Sequence, residues 1–241
     1  ADFLNGTEFT SVNPFSKASL GYRSNRFSGR IEVPVRYTWI NVKDIGNGFS
    51  ASLSKPYLEP LFYLRYQING KFYTTATLRK NNTFGTGEEI FSNPILTTFR
   101  SFDLRNTDVP ERITRGMNYG LFFKDPISSI FLNMNLGYQQ IEKNTIIENI
   151  LLESGETVFS AKDLTNTGRL GTLAFRGSKY LTDLFTTFSL NATFQRQKTP
   201  QFTNGQLLDY TLSSTIYSLE SATKPKRFFG FVYKVSYTTI N

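Results

Sequence analysis

Apolar and polar side chains alternate with a period of two along much of the chain, which is typical of β-strands with two different faces. In the segment 132–139 the even positions are Leu, Met, Leu and Tyr, whereas the odd positions are Asn, Asn, Gly and Gln. Similar alternation recurs in 30–39, 184–195 and 229–237. Each segment has roughly the ten residues that a tilted strand needs to cross a bilayer. The pattern predicts about ten antiparallel strands, with approximate spans 17–23, 27–40, 58–68, 72–80, 115–123, 130–140, 168–176, 184–195, 207–218 and 228–238.

The register of one predicted hairpin follows from its side chains. The dipeptide Asn69–Gly70 is a strong signal for a two-residue turn, but such a turn would set apolar side chains opposite polar ones. A three-residue loop over 69–71 instead places Phe62 opposite Leu78 and keeps the apolar residues of both strands on one face. We therefore predict a three-residue loop, with one apolar and one polar face on the hairpin.

The predicted connections differ in length at the two ends of the sheet. Short connections are predicted over 24–26, 69–71, 124–129, 177–183 and 220–227, and long polar ones over 41–57, 80–115, 141–166 and 196–206. Outer-membrane barrels have short periplasmic turns and long extracellular loops, whereas a soluble sandwich has no reason for this asymmetry. The pattern therefore indicates an all-β, antiparallel, up-and-down transmembrane barrel whose apolar face meets lipid.

The direction of the strands adds an expectation about completeness. A short turn follows the first predicted strand, so both chain ends are expected on the extracellular side, unlike the termini of complete bacterial barrels. Unpaired strand edges have no water to bond inside a bilayer. We expect residues 1–241 to form a single outer-membrane barrel portion, a sector that further strands and a plug complete.

Composition narrows the classes of function. The 241 residues include no Cys and no His, which removes thiolate metal sites and the commonest general base and metal ligand. The formal charge is +8, but Lys and Arg are interleaved with acidic residues and form no stripe for nucleic acid. We expect no catalytic residue, no metal site, no cofactor and no nucleic-acid partner.

Basic residues on the polar faces of the strands are the first candidates for a function. A row of one charge sign in a narrow channel of low dielectric would attract anions or hold an acidic plug. The alternative is that these side chains pair with carboxylates on neighbouring strands or on missing segments. The lumen-facing candidates are Arg36, Arg65, Arg79, Lys124, Arg176 and Lys234.

The predicted loop 80–115 is the second candidate, because loops of this length are usually functional or disordered. Its Phe residues supply enough apolar surface to fold over the mouth of a barrel, and a structural cap and a binding site both remain open. A further hairpin is predicted around Ser154–Gly155, as an extension of the barrel wall. The ligand-loop candidates are Phe84, Phe91, Phe99, Phe102, Arg100 and Arg105.

A resemblance to a known family rests on five segments. They are GRIEVPVRYTW (29–39), LEPLFYLRYQINGKFYTTATL (58–78), ILTTFRSFDL (95–104), MNYGLFFKDPISSIFLNMNLGYQQIEKNTI (117–146) and SKYLTDLFTTFSLNATFQRQKT (178–199). Together they resemble the barrel of TonB-dependent receptor-like proteins of Bacteroidetes, the group of carboxypeptidase-like regulatory domain and outer-membrane β-barrel family proteins. The resemblance implies a barrel of about 22 strands around a plug. The partners it implies are outer-membrane lipid, the remaining strands and plug of the same protein, and a TonB-like periplasmic energy-coupling protein.

These observations favour a bacterial outer-membrane receptor or transporter that captures a ligand at its long loops and passes it through the lumen with an external energy supply. The alternative is a structural or protein-assembly and export barrel without import activity. A third possibility, a secreted β-sandwich that binds glycans, requires every apolar row to point into one shared core.

Overall fold

The computed structural model describes residues 6–45, 48–86, 89–226 and 229–241. Sixteen strands form one sheet in which most neighbours are antiparallel. The strands are β1 (Thr7–Val12), β2 (Phe15–Arg23), β3 (Phe27–Asp44), β4 (Ser50–Leu58), β5 (Leu61–Gln67), β6 (Phe72–Phe84), β7 (Phe91–Thr98), β8 (Ser101–Arg105), β9 (Glu111–Asp125), β10 (Ile130–Lys143), β11 (Ile146–Leu151), β12 (Thr157–Lys162), β13 (Asn166–Leu181), β14 (Thr186–Thr203), β15 (Gln206–Lys226) and β16 (Phe229–Ile240). The described residues contain no helix with the length and hydropathy needed to span a bilayer.

Ten long strands form the wall of the sheet, because two pairs of assigned strands are each one strand interrupted near a proline. β1 and β2 both pair with β3, on either side of Pro14, and β4 and β5 both pair with β3, on either side of Pro60. Proline has no N–H to donate, so the ladder of backbone hydrogen bonds is interrupted at each proline without a change of register. The predicted ten-strand, up-and-down arrangement is confirmed in the order β1/β2, β3, β4/β5, β6, β9, β10, β13, β14, β15, β16.

The sheet is open and not closed into a complete barrel. The outer sides of β2 and β16 have no partner strand among the described residues. Side chains on both faces of these two strands are exposed. Closure by further strands stays a prediction.

The hairpin of β5 and β6 has the predicted register. Phe62 lies opposite Leu78, so the apolar residues of both strands share one face. The side-chain oxygen of Asn69 accepts the backbone N–H groups of Lys71 and Phe72, each at 2.9 Å. This bonding holds the three-residue loop in place of the two-residue turn that an Asn–Gly pair usually forms.

Two of the predicted long loops are wrong. The span 41–57 is mostly strand, because β3 continues to Asp44 and β4 begins at Ser50. The span 196–206 is also mostly strand, and it ends in a two-residue turn at Asn204–Gly205 with φ angles of 47° and 77°. Positive φ at both positions is the signature of the type I′ hairpin. Strands of up to 21 residues exceed what a bilayer requires, so they extend beyond its hydrocarbon layer, where lipid no longer imposes an apolar row on the outer face.

The other two long connections contain hairpins of their own. β7 pairs with β8, and β11 pairs with β12 around the predicted turn, in which Gly155 has a φ of 82°. β12 lies parallel to β8, and β11 lies parallel to the end of β14. The hairpin predicted around Ser154–Gly155 is therefore confirmed, and it adjoins both the wall and the hairpin β7–β8.

Strand register defines two faces of the wall. On the first, here called the outer face, Met134 lies between Leu121 and Phe175. The neighbouring outer-face residue Leu136 is 43% exposed, and no second sheet or helix layer covers this face in the described part of the chain. A soluble sandwich would bury such a face, so the outer face is the lipid-facing surface of a barrel. The opposite face, which carries Asn133, is here called the inner face.

The fully buried apolar residues lie at the loop end of the inner face. Ile40 and Val42 of β3 and Ala51 of β4 pack with Ile90 and Val109, which flank the hairpin β7–β8. Removing these side chains from water stabilises the fold of the segment between β6 and β9 against the wall. The segment therefore caps part of the inner face and holds the hairpins over it.

Candidate ligand-binding site

The six predicted lumen residues all lie on the inner face. Register places Arg65 opposite Thr75, Arg79 opposite Gly116, and Arg176 opposite Asn133. The same alternation puts the other three on this side of their strands. The complete set is Arg36, Arg65, Arg79, Lys124, Arg176 and Lys234. A role for them in attracting anions stays a prediction.

Arg36 is part of the wall. Its guanidinium donates to Glu59 Oε1 and to the backbone oxygen of Asn82, both at 2.7 Å, and lies 5.0 Å from the ring centre of Phe84. Glu59 Oε1 also accepts the backbone N–H of Asn82 at 2.9 Å. These contacts tie β3 to β6 beside the interruption at Pro60. For Arg36 the alternative interpretation, pairing with a neighbouring carboxylate, describes the observed contacts.

Arg65 lies at the end of an aromatic stack on the inner face. Its guanidinium is 4.2 Å from the ring centre of Tyr73, and that ring stacks on Phe122 at 4.6 Å with an angle of 6° between the planes. Gly120 makes room for the stack, because a Cβ there would lie 2.5 Å from the Phe122 ring. Cation–π contacts at exposed sites contribute about 0.5–1 kcal/mol each. The charge of Arg65 is therefore positioned without being neutralised.

The remaining four candidates also lack acidic partners. Apart from Arg36, none of the six makes an ion pair with another described residue. Lys124 lies 5.9 Å from the ring centre of Phe131, and the Nε of Arg79 would lie 3.7 Å from a Cβ at Gly116. Glycine thus leaves space for a long side chain to lie along the wall. The inner face carries positive charge that other side chains do not neutralise.

A cavity of about 740 Å³ lies at the loop end, between the hairpins and the inner face. The wall contributes Gln139 of β10, Leu170 of β13 and Gln197 of β14, and the hairpins contribute Arg105 of β8 and Asn149 of β11. The volume is in the range of small-molecule sites, which are usually clefts of about 300–1,000 Å³. The mixed polar and apolar lining suits a ligand with both kinds of surface.

Basic side chains at this cavity differ in whether they have an acidic partner. Arg105 is held by Asp103, whose Oδ2 lies 3.0 Å from its Nε and 2.9 Å from its Nη2. Arg112 and Lys143 lie directly opposite each other in β9 and β10, and neither makes an ion pair within the described ranges. Like charges directly opposite on adjacent strands are destabilising. An anion bound between Arg112 and Lys143 would remove that repulsion.

Three of the ligand-loop candidates lie at or beside the cavity. Phe84 and Arg105 line it. Phe84 also packs against the buried cluster of the cap, and its ring centre is 4.9 Å from that of Tyr57. Phe91 is 7% exposed, and its ring centre lies 5.8 Å from the Arg105 guanidinium. Phe84 therefore contributes to packing at the cap, Phe91 lies buried beside Arg105, and Arg105 is the one of the three with a polar group at the cavity.

The other three candidates lie away from the cavity. Phe99 and Arg100 form the turn between β7 and β8, where Phe99 is 90% exposed and the Arg100 guanidinium lies 5.9 Å from its ring centre. Phe102 is half-buried on β8, opposite Leu96 of β7. The structure does not bring these residues together with Arg112 or the wall strands.

The sequence pattern does not reveal two features of the site. Arg112 and Lys143 lie outside the predicted strands 115–123 and 130–140, and their pairing is evident only from the full register of β9 and β10. Tyr73 and Phe122 are aromatic residues at polar-face positions. That departure from alternation is the signal that marks the stack in the sequence.

Comparisons with known proteins support the fold. No protein-family model matches the chain, and no curated protein matches it. Among solved structures, the outer membrane transporter YddB from Escherichia coli is similar at a TM-score of 0.56 and 10% identity, over 96% of this chain and 34% of the transporter chain. This chain therefore spans about a third of the transporter's length. The beta domain of the Bordetella autotransporter Brka matches at a TM-score of 0.41 and 12% identity, over 98% of this chain and 86% of that domain.

The fold and the faces of the sheet define the class of protein. The chain has the fold of an outer-membrane β-barrel, and its uncovered apolar outer face meets lipid. Its location is the bacterial outer membrane. The resemblance to TonB-dependent receptor-like proteins of Bacteroidetes stays a prediction.

Proposed function

We propose that this chain is the barrel portion of an outer-membrane receptor that captures an anionic ligand in the loop-end cavity. The observation that carries the proposal is the pair of adjacent cations, Arg112 and Lys143, at a cavity of about 740 Å³. Anions bind most strongly where several charged donors converge at a partly desolvated site. The ligand therefore carries at least one carboxylate, sulfate or phosphate group.

The basic inner face supports passage of such a ligand beyond the cavity. Arg79 and Arg176 lie on this face nearer to the short turns, and Arg65 is held there by its aromatic stack. Charge of one sign along a surface of low dielectric concentrates counter-ions and speeds their association. We infer that the inner face guides an anion from the cavity toward the periplasm.

Energised uptake is the form of transport that we propose. One similar solved structure is an outer membrane transporter, and the sequence resembles TonB-dependent receptor-like barrels. A plug, the remaining strands of the same protein and a TonB-like periplasmic protein would then be the partners. The role is not enzymatic in this proposal, because binding and passage require no covalent step from the residues of the chain.

The second candidate is a structural or protein-assembly and export barrel without import activity. The cap favours it, because Ile90 and Val109 of the long connection, with Phe84 at the end of β6, pack against Ile40 and Val42 of the wall. In that case the cavity would result from the packing of the hairpins on the wall and would have no binding role. The two candidates differ in whether the cavity binds anions and whether uptake needs energy.

The test uses the complete protein in detergent and the trianionic dye pyranine as the probe. Binding is followed by fluorescence anisotropy. Replacing both Arg112 and Lys143 by Gln is expected to weaken binding at least about tenfold, because a hydrogen bond to a charged group contributes roughly 1.5–3 kcal/mol. Arg100→Gln, at the exposed turn between β7 and β8, is the matched control and should leave the affinity unchanged.

The energy requirement is tested in cells. Accumulation of pyranine in the periplasm should stop when a protonophore dissipates the proton-motive force. Dye binding that survives the double substitution would contradict the assignment of the cavity. Binding at the cavity without energy-dependent accumulation would favour the structural barrel.

A further inference from the structure

A groove lies on the outer face, where the apolar rows of four strands end. Its volume is about 490 Å³. Phe62, Leu78, Met117 and Tyr138 line it, and register places these four side chains in one row across β5, β6, β9 and β10. The groove is therefore an apolar depression in the surface that meets lipid.

Basic side chains form the rim of this groove on its loop side. Lys80 and Arg115 are the next outer-face positions after Leu78 and Met117, and they lie directly opposite each other in β6 and β9. Arg115 Nη1 lies 2.8 Å from Glu142 Oε2. Lys80 makes no ion pair with any residue that the structure describes. The rim thus carries more positive than negative charge.

The close approach of Lys80 and Arg115 is unfavourable unless an anion binds between them. Like charges directly opposite on adjacent strands are destabilising, and their repulsion is screened less beside a layer of low dielectric than in water. The row of Lys80 and Arg115 continues through Gln140 to the exposed Arg169, and of these three described cations only Arg115 makes an ion pair, with Glu142. A phosphate group between Lys80 and Arg115 would offset the excess charge.

We propose that the groove binds a phosphate-bearing lipid of the outer leaflet. One acyl chain lies along Phe62, Leu78 and Met117, and the phosphate lies between Lys80 and Arg115. The apolar floor is complementary to hydrocarbon, and the basic rim stands on the loop side, at the height of the headgroups. The proposal is independent of what the barrel transports, because no residue that lines the groove also lines the loop-end cavity.

The test measures the lipid that the complete protein retains after purification in detergent with added diphosphoryl lipid A. Native mass spectrometry counts the bound lipid. The double variant Lys80→Gln/Arg115→Gln removes the rim charge, and Leu78→Trp fills the groove. Each is expected to lower retention at least about tenfold, equivalent to about 1.4 kcal/mol. Lys179→Gln is the matched control, because Lys179 lies on the outer face opposite Phe188, near the short turns.

Two further probes identify what is recognised in the unaltered protein. Phosphatidylcholine supplies acyl chains without net charge, and inorganic phosphate supplies charge without acyl chains. Retention of lipid A in clear excess over phosphatidylcholine, without displacement by inorganic phosphate, supports the proposal. Equal retention of the two lipids, displacement by inorganic phosphate, or full retention in both groove variants would overturn it. A gel-mobility shift on heating verifies that each variant is folded, and the comparison of the two lipids needs no variant.

Discussion

Gly120 and Phe122 show how the polar inner face accommodates a large ring. The Phe122 ring occupies the space above Gly120, where a Cβ would lie 2.5 Å from it and 2.9 Å from Thr75 Oγ1. In this position the ring stacks on Tyr73, which in turn supports the Arg65 guanidinium. The absence of one methyl group at position 120 therefore determines where a charge of the inner face lies.

Replacing Gly120 by Ala tests this dependence. The added methyl group must displace the Phe122 ring from Tyr73, so we expect the free energy of unfolding to fall by about 1–3 kcal/mol. Urea unfolding in detergent measures the change. Gly171→Ala is the control, because a Cβ at Gly171 meets only the Arg196 backbone oxygen, at 3.9 Å. Equal losses in the two variants would contradict the proposed role of Gly120.

A charge pair joins two of the short turns. Lys71 Nζ lies 2.6 Å from Asp125 Oδ2. The hydrogen bond from Lys71, followed by that from Ser128, lowers the pKa of Asp125 from an ordinary 3.8 to about 2. A lowered pKa in the folded state means that the pair stabilises the protein above the ordinary pKa and loses this contribution as the pH falls toward the folded value.

The Lys71→Met variant checks this pH dependence. It should lower the free energy of unfolding at pH 6, where Asp125 is ionised in both the folded and the unfolded state. The difference from the unaltered protein should shrink between pH 4 and pH 2, the window set by the two pKa values. Unfolding curves at each pH supply the measurement. A difference that stays constant down to pH 2 would show that the pair does not titrate as described.

At the scale of the strands, two Asn–Gly pairs form different turns. Asn69–Gly70 lies in a three-residue loop, because only that loop keeps the apolar rows of β5 and β6 on one face. Asn204–Gly205 forms a two-residue turn between β14 and β15, with positive φ at both residues. The two-residue turn sets the register there, and it places Phe202 directly opposite Leu207.

The second turn predicts a position-dependent effect of alanine. Gly205→Ala should lower the free energy of unfolding by roughly 1 kcal/mol, since an L-residue with a side chain is disfavoured at a φ of 77°. Gly70→Ala is the control, because a Cβ at Gly70 would meet nothing within 4 Å and its φ is not in the positive range. If Gly70→Ala proves as costly as Gly205→Ala, the turn assignment is wrong.

The sequence predicts the wall better than the loop end, for a physical reason. Lipid on one side imposes an apolar row on every strand, and that row identifies the ten strands, their faces and the β5–β6 register. Beyond the bilayer the polar end of β14 carries no such row, and at the end of β3 the buried apolar residues Ile40 and Val42 lie on the inner face instead. The parallel contacts of β12 with β8 and of β11 with β14 join segments that are far apart in the sequence, and no local sequence pattern predicts them.

The residues of the candidate site also differ in how far the sequence predicts their positions. Alternation alone puts six cations on the inner face, whereas Arg112 and Lys143 come together only through strand ends that the pattern does not reveal. The cap is a further example. Ile90 and Val109 belong to no period-two apolar row, and their packing against Ile40 and Val42 depends on the folded wall.

At the scale of the molecule, the outer face of the wall meets hydrocarbon and the inner face meets water. Met134→Arg places a charge between Leu121 and Phe175 on the outer face, and Asn133→Arg places it on the inner face, one residue away. We expect Met134→Arg to cost about 2–4 kcal/mol if it lies near the midplane, and Asn133→Arg to be mild. Unfolding in lipid vesicles provides the comparison, and equal costs would contradict the assigned faces.

Whether the outer face meets lipid is tested most directly by measuring which solvent contacts each residue along one strand of the wall. The chain has no native Cys, so single Cys residues placed in turn at positions 132–139 of β10 can each carry one nitroxide label. The accessibility of each label to oxygen, which concentrates in the bilayer, is compared with its accessibility to a water-soluble nickel chelate. If the outer face meets lipid, oxygen reaches the even positions and the chelate reaches the odd positions. Loss of this alternation, or its reversal, would contradict a lipid-facing outer surface.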